Sequence, residues 1–449
     1  MDSANEAGAR NRHVERHRVG NLNGLNPTVK QKTDDVWQYQ PLFVQLMLYF
    51  HRMATNAPLT QSSPTSAGAL LRLIRDEVAV TRADLARQTG LARSTVAQRV
   101  DALLAQGLVY EAGGGASTGG RPATVLAFNR AAGVVLVADL GATHARVAVS
   151  DLVGTPLAER ASDLDIALGP DHALAWVADR FTELLDEVGR SGEDVLGIGL
   201  GVPGPVEFDS GRPVNPPIMP GWDDFPIPDW FAGRYSAPVL VDNDVNIMAR
   251  GEHRMHWPDT EHLLLIKVGT GIGCGIVADG HIHRGARGAA GDIGHIRATT
   301  SEEVICRCGN IGCLEAVAGG QALAERLAAS GEDATHSRDV VRLVQAGHAG
   351  AIRMVRDAGR TLGEVLAGTV NFFNPAVIVI GGDIAEAHAQ LLAGVREGIF
   401  SRSLPLATRD LRIVPCRLGD RAGVIGAAIM AIEHVLAPDA VDRSLQTAA

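Results

Sequence analysis

Lysine is nearly missing from this chain: of 449 residues only Lys30, Lys32 and Lys267 are lysine, so its positive charge is almost entirely arginine. Two of the three fall in the first 66 residues, a stretch without sustained apolar periodicity. That segment reads as a disordered N-terminal arm. Its composition also differs from the Arg- and Ala-rich remainder, which makes Met53 the expected natural start. Cysteine is sparse as well. Five cysteines in a chain of this length, with no signal-peptide pattern, exclude a disulfide scaffold and point to a reducing cytoplasm. Long apolar runs are absent: Pro41 to Phe50 is broken by Gln45 and falls short of the ~20 residues of a membrane helix, so no membrane partner is expected. Positive charge is in deficit, 41 Lys+Arg against 51 Asp+Glu for a net −10. This rules out a protein that is basic throughout and leaves room for one basic module.

Such a module is present. From Ala69 to Arg130 the net charge is +3, which leaves an acidic body. Leu70, Leu71 and Ile74 mark a short amphipathic helix. Thr81-Arg-Ala-Asp84 has the pattern of a capping box, in which Asp84 accepts from the Thr81 backbone, and opens a second helix ending near Gly90. Val96, Val100, Leu103 and Leu104 share one face of a third helix, which leaves Thr95, Gln98 and Arg99 opposite, with Arg93 and Ser94 at its start. Helix, tight turn and polar-faced helix is the helix-turn-helix pattern. Arginine suits guanine and glutamine suits adenine, while Ser94 and Thr95 suit phosphate or base edges. Leu108-Val109-Tyr110 and Val125 to Phe128 read as strands of a wing, whose Gly113 to Pro122 loop offers Arg121 to a minor groove. The competing reading of three short helices is a protein-interaction module.

After Arg130 apolar runs of strand length alternate with Gly-rich turns and helical stretches, as in an α/β body. Val134 to Thr143 and Leu263 to Gly273 are both buried-strand runs entering a Gly/Thr turn, which implies two lobes of like construction. In the first turn Asp139 could hold Mg²⁺ while Gly141 and Thr143 approach phosphate, and Gly269, Thr270, Gly271 and Gly273 could take further phosphates. The polar cluster Val241 to Glu252 could set a carboxylate beside a substrate hydroxyl. His295, Cys306, Cys308 and Cys313 match the Cys₃His set of a structural Zn²⁺ site. Buried or redox-active thiols are the alternative there.

From about residue 69 to 435 the chain resembles the ROK family of repressors, open reading frames and kinases. The resemblance is carried by Asp139-Leu-Gly-Ala-Thr143, Gly201-Val-Pro-Gly204, Asn243-Asp244-Val-Asn246, Gly269 to Gly273, Ala290 to His295 and Cys306 to Glu315. It implies an α/β protein in which a winged helix-turn-helix precedes a two-lobed, actin-like sugar-kinase body, with sugar and nucleotide in the cleft. Asp244 matches the kinases' catalytic base, and Asn243, His295 and Glu315 match sugar contacts. Asp292, also a sugar contact, stands where kinases typically carry Glu. Ala142 and Cys274 replace glycines of the phosphate turns. Added Cβ atoms there crowd backbone that must approach phosphate.

Members with the winged helix are sugar-responsive regulators, usually dimers or tetramers. The expectation is therefore a cytoplasmic, sugar-responsive repressor of carbohydrate-metabolism genes that binds a double-stranded operator and a sugar or sugar-phosphate effector and carries structural zinc. The alternative is a glucokinase-like, Mg-ATP-dependent sugar kinase that uses Asp244. The expected domains are a tail at 1–66, a winged helix at 67–129 and a body at 130–449. Within the body the small lobe takes about 130–243 and a C-terminal helix at about 421–436, and the large lobe about 244–420.

Overall fold

Ser66 accepts the N–H of Ala69 at 3.1 Å and starts helix α1 (Ala67–Arg75), whose Leu70, Leu71 and Ile74 are buried. The computed structural model describes residues 65–114, 124–299 and 303–447. Helix α2 (Arg82–Thr89) is capped by Thr81, which accepts the Asp84 N–H at 3.1 Å. Gly90 ends α2 at φ 72°, a left-handed cap that a residue without Cβ adopts at little cost. The expected capping box closes differently: Asp84 accepts the Thr81 hydroxyl at 2.6 Å, because a side chain one methylene shorter than Glu stops at the hydroxyl. Helix α3 (Arg93–Ala105) buries Val96, Val100 and Leu103. Strands β1 (Val109–Gly114) and β2 (Thr124–Phe128) pair antiparallel with Val109 opposite Phe128, which completes the winged helix. The wing tip, residues 115–123 with Arg121, and the tail through residue 64 lie outside the described residues.

The body holds two five-stranded sheets of the same topology. In the first lobe β3 (Val134–Leu140), β4 (His144–Asp151) and β5 (Pro156–Asp163) form an antiparallel meander. Helix α4 (Pro170–Glu187) follows, and then β6 (Val195–Val202) and β7 (Val239–Asn243) extend the sheet in parallel from β3. Helix α5 (Asp244–His256) leads into the second lobe, where β8 (Leu263–Val268), β9 (Ile272–Ala278) and β10 (His281–Ile282) repeat the meander. There α6 (Leu314–Ala318) and the long α7 (Ala349–Phe373) precede β11 (Val377–Gly381), α8 (His388–Arg402) and β12 (Arg412–Pro415). Strands β11 and β12 extend the second sheet in parallel from β8.

Every residue of β3 is buried, because α4 covers one face of its sheet and α9 (Ala422–Val435) the other. A strand covered on both faces loses polar alternation, which explains the run Val134-Val-Leu-Val-Ala. Helix α5 lies on the second sheet: a Cβ at Gly275 would strike the Val245 carbonyl. It crosses α9 backbone to backbone, where a Cβ at Gly426 would strike the Ile247 carbonyl and one at Gly251 the Ala422 carbonyl. Arg250 and Arg254 of α5 both pair with Glu433 of α9, the second at 3.4 Å. After α9 the chain bends by 58° into α10 (Pro438–Thr447). Helix α10 docks on the winged helix: Gly68 of α1 packs against Pro438 and donates its N–H to Asp442 at 2.8 Å. Among the described residues no single helix is long and apolar enough to cross a membrane.

Candidate functional site

The cleft is built on strand ends. Strand β7 ends at Asn243, which caps α5 by accepting the Val245 N–H at 2.9 Å and donates to Gly204 O at 2.8 Å. Each use leaves the amide one further donor and one acceptor for a ligand. Asp244, the first residue of α5, is buried and accepts the Val245 N–H at 2.8 Å and the Lys267 ammonium at 2.5 Å. Beneath them Asp242 takes Arg284 at 2.6 and 3.0 Å and Asn246 at 2.8 Å, a network that fixes the strand end. Arg284 stacks on Phe208 at 3.7 Å.

Two chambers open on this floor. The smaller, about 160 Å³, brings together all five expected sugar contacts, Asn243, Asp244, Asp292, His295 and Glu315. Its size, below the usual span of drug-sized pockets, suits a small polar ligand. The larger, about 650 Å³, is lined by Asp139, Arg146, Arg338 and Gly381 among others. His144, Lys267 and Asp383 line both. Burial pushes the Asp139 carboxyl up to about 6, with the Lys267 charge pulling the other way, and its Oδ1 has no hydrogen-bond partner.

The two glycine turns are less open to phosphate than the sequence suggests. Each is the first hairpin of its sheet and spends donors internally: Gly141 N–H on His144 O at 2.8 Å, Gly269 N–H on Gly271 O at 3.0 Å. The Ile272 N–H goes to Glu315 Oε2 at 3.2 Å, so a carboxylate already faces the second turn. Thr270 and Gly273 line the smaller chamber, together with Gly269 and Gly271. Asp139 lies across the cleft at the end of β3.

The thiol cluster adjoins the smaller chamber through His295. Ligand atoms of His295, Cys306 and Cys308 all lie within 4.8 Å of one another, and Cys313 Sγ is 3.7 Å from Cys308 Sγ. His295 Nδ1 is 2.7 Å from Asp292 Oδ1, whereas Nε2 is buried without a partner. An imidazole held by a carboxylate on one nitrogen and orphaned on the other is oriented as a metal ligand. The donor set fits Zn²⁺. Cys274 and Cys416 stay apart from this cluster, and burial pushes each thiol up to about 12, which makes them unreactive.

On the winged helix, Arg93, Ser94 and Gln98 of α3 are exposed, but Thr95 and Arg99 are only half exposed. Arg99 Nη1 is buried without a hydrogen bond. The apolar stripe alone placed both on the open face. Packing against the rest of the module narrows that face to Arg93, Ser94 and Gln98. Lys267, Asp383, His144 and the Asp242–Arg284 pair were not singled out from sequence. Lys267 did carry a signal, as a lone lysine in an arginine-rich body, while Arg284 sits in a loop and Asp383 opens a single 3-10 turn, neither with a periodicity to expose it.

Residues 67–110 match winged helix-turn-helix DNA-binding domains, and residues 135–434 match the ROK family. The xylose repressor of Caldicellulosiruptor bescii is 32% identical over 381 residues, covering 82% of this chain and 95% of that protein. A glucokinase of Halalkalibacterium halodurans is 36% identical over 266 residues, covering 56% of this chain and 80% of that enzyme. A solved ROK family transcriptional regulator, a homologue of the E. coli MLC protein, superimposes with a TM-score of 0.70 at 27% identity over 84% of this chain and 98% of its own. With the family match running from β3 into α9 and the winged helix ahead of it, the chain belongs to the ROK family.

Proposed function

We propose that this protein is a sugar-responsive DNA-binding repressor of carbohydrate-metabolism genes, acting in the cytoplasm as a homodimer or homotetramer on a double-stranded operator. The observation that carries the reading is the joint between its parts. Helix α3 presents Arg93, Ser94 and Gln98, and the same module is held through Gly68 and Asp442 to the helices that run back to the cleft. Closure of the lobes around a sugar at Asn243, Asp244, Asp292, His295 and Glu315 shifts α9 and, through α10, the winged helix. Zinc held by His295, Cys306, Cys308 and Cys313 supplies no chemistry. It fixes His295 and Asp292 against the sugar, and the buried, unpartnered Nε2 supports this role. Relatives named xylose repressor match along nearly their whole length, so D-xylose is the first effector to test.

The test is operator selection from random DNA, followed by titration of the complex with D-xylose, D-glucose and N-acetylglucosamine. A selected site whose affinity no sugar changes defeats the sensor, and failure to select any site defeats the regulator. A glucokinase-like activity is the second reading, favoured by Asp244 at the cleft floor. Mg-ATP would have to use Asp139 and the two hairpin turns. The spent turn donors and the Lys267–Asp244 pair weigh against it.

A further inference from the structure

Every lysine and arginine on the wall of the larger chamber is already matched by an acceptor. Arg146 lies 3.1 Å from Glu159 and 3.5 Å from Asp420, and Arg338 lies 3.1 Å from Asp163. Arg342 meets Asp339 at 3.3 Å and donates to the Asp333 carbonyl at 2.6 Å. Lys267 is held by Asp244 at 2.5 Å. Against these four cations the wall sets five carboxylates, those of Asp139, Asp163, Asp383, Glu386 and Asp420.

The wall groups left without a partner are acceptors or neutral. Asp139 is 9% exposed, and its Oδ1 has no hydrogen-bond partner. His144 keeps a buried Nδ1 without one, and burial holds its imidazole below the ordinary range, so the ring is neutral at pH 7.5. The Gln345 amide makes no hydrogen bond among the described residues. A phosphate brings negative charge and only acceptors, so here it would have to break an ion pair to find a cation and would leave Asp139 unanswered. A hydroxyl donates and accepts at once, and serves the carboxylate, the imidazole and the amide alike. A buried carboxylate oxygen without a donor costs the folded protein until one reaches it.

We propose that the larger chamber is a second ligand site, built for a neutral polyhydroxylated molecule, a sugar or polyol, and closed to nucleotides and sugar phosphates. At about 650 Å³ it has the room of an ordinary small-molecule site. His144, Lys267 and Asp383 face both chambers, so the two ligands border one another across three side chains. The inference adds a site to the sugar reading, and it stands even if the smaller chamber takes a different ligand.

The experiment is equilibrium dialysis of the full, zinc-loaded chain at pH 7.5 against labelled D-glucose and D-glucose 6-phosphate, in wild type and in Asn243→Ala, which strips a contact from the smaller chamber alone. Asn243→Ala should keep one D-glucose per chain with a dissociation constant below about 1 mM, and should bind the 6-phosphate at least tenfold more weakly. Adding Asp139→Leu, which replaces the orphaned carboxylate with an apolar group of similar size, should weaken that D-glucose at least tenfold. Glu315→Gln replaces Asn243→Ala if circular dichroism shows that loss of the helix cap prevents folding. Gln345→Ala, at an exposed position, stands in for Asp139→Leu on the same ground. Three results would overturn the proposal: no D-glucose bound once the smaller chamber is impaired, the 6-phosphate bound there as tightly, or binding untouched by substitution at both Asp139 and Gln345. A single wild-type D-glucose lost with Asn243→Ala removes the second site and keeps the sugar reading. A single one that survives Asn243→Ala and is lost with Asp139→Leu keeps the second site and counts against the smaller chamber.

Discussion

If the docked helix α10 transmits the state of the cleft, then loosening it should silence the sugar without blinding the DNA reader. Gly68 offers the cleanest perturbation. An ideal Cβ at this position would lie 2.2 Å from the Pro438 carbonyl oxygen, a backbone atom that cannot swing aside as a side chain could. Forcing that contact apart costs about 1–3 kcal/mol, the usual range for overpacking. Asp442→Ala attacks the same joint from the other side. It removes the 2.8 Å acceptor at the first turn of α1, a capping interaction worth about 0.5–2 kcal/mol. Both figures match the ~1–3 kcal/mol typical of coupling between sites, so either change is large enough to uncouple them. Neither touches Arg93, Ser94 or Gln98 on α3. The assay is fluorescence anisotropy of labelled operator with and without the effector sugar. Gly68→Ala and Asp442→Ala should bind operator within about threefold of wild type, under 1 kcal/mol, while the ratio of affinities with and without sugar falls toward one. A ratio unchanged in both variants would refute the α10 route.

Three further outcomes are expected. Cys308→Ala should lose zinc and the sugar response together, read by metal analysis and anisotropy on never-chelated protein, because an incomplete shell uncouples local folding from the metal; retention of one zinc per chain would refute the ligand set. Arg93→Ala and Gln98→Ala should weaken and relax operator choice by about 1–3 kcal/mol per lost base contact, whereas Arg99→Ala, at a half-buried position, should chiefly lower the melting temperature of the winged helix; the reverse pattern would refute the assignment of faces. Asp139 titrates near 6 when folded, above the ~3.9 of an unfolded aspartate, so the folded state binds the extra proton between those values and stability falls as pH rises through them. Asp139→Asn should remove up to about 3 kcal/mol of that pH-dependent loss and raise the melting temperature at pH 7.5; a lower melting temperature there would show that the ionised carboxylate is net stabilising.

The parts of the fold governed by local rules were readable from the residues. Thr81 and Gly90 bracket a helix because a hydroxyl cap and a left-handed terminus are properties of single positions. The repeated strand-to-Gly/Thr runs anticipated two like lobes, and the sheets indeed share one strand order. Two features lay beyond the reach of residue type. Arg99 and the glycine-turn amides were judged by what their residue types can do, whereas the fold had already committed them, Arg99 to a half-buried position and the amides to hairpin bonds. The α10 joint could not be foreseen, since Gly68 and Asp442 are separated by 374 positions and neither sits in a recognisable motif. Lys267 could have been flagged by scarcity, but scarcity carries no partner until the structure supplies Asp244.

The crossing of α5 and α9 bears on how little work a small ligand must do. Interfaces filled by interlocked side chains resist sliding, because each knob must leave its hole before it finds another. Here backbone rides on backbone, with Gly251 and Gly426 at the contact and Glu433 shared by two arginines that can pass it between them. Such a joint leaves little slack: with no long side chain between the two backbones to take up a displacement, a shift imposed on α5 from the cleft would be handed on to α9 undiminished.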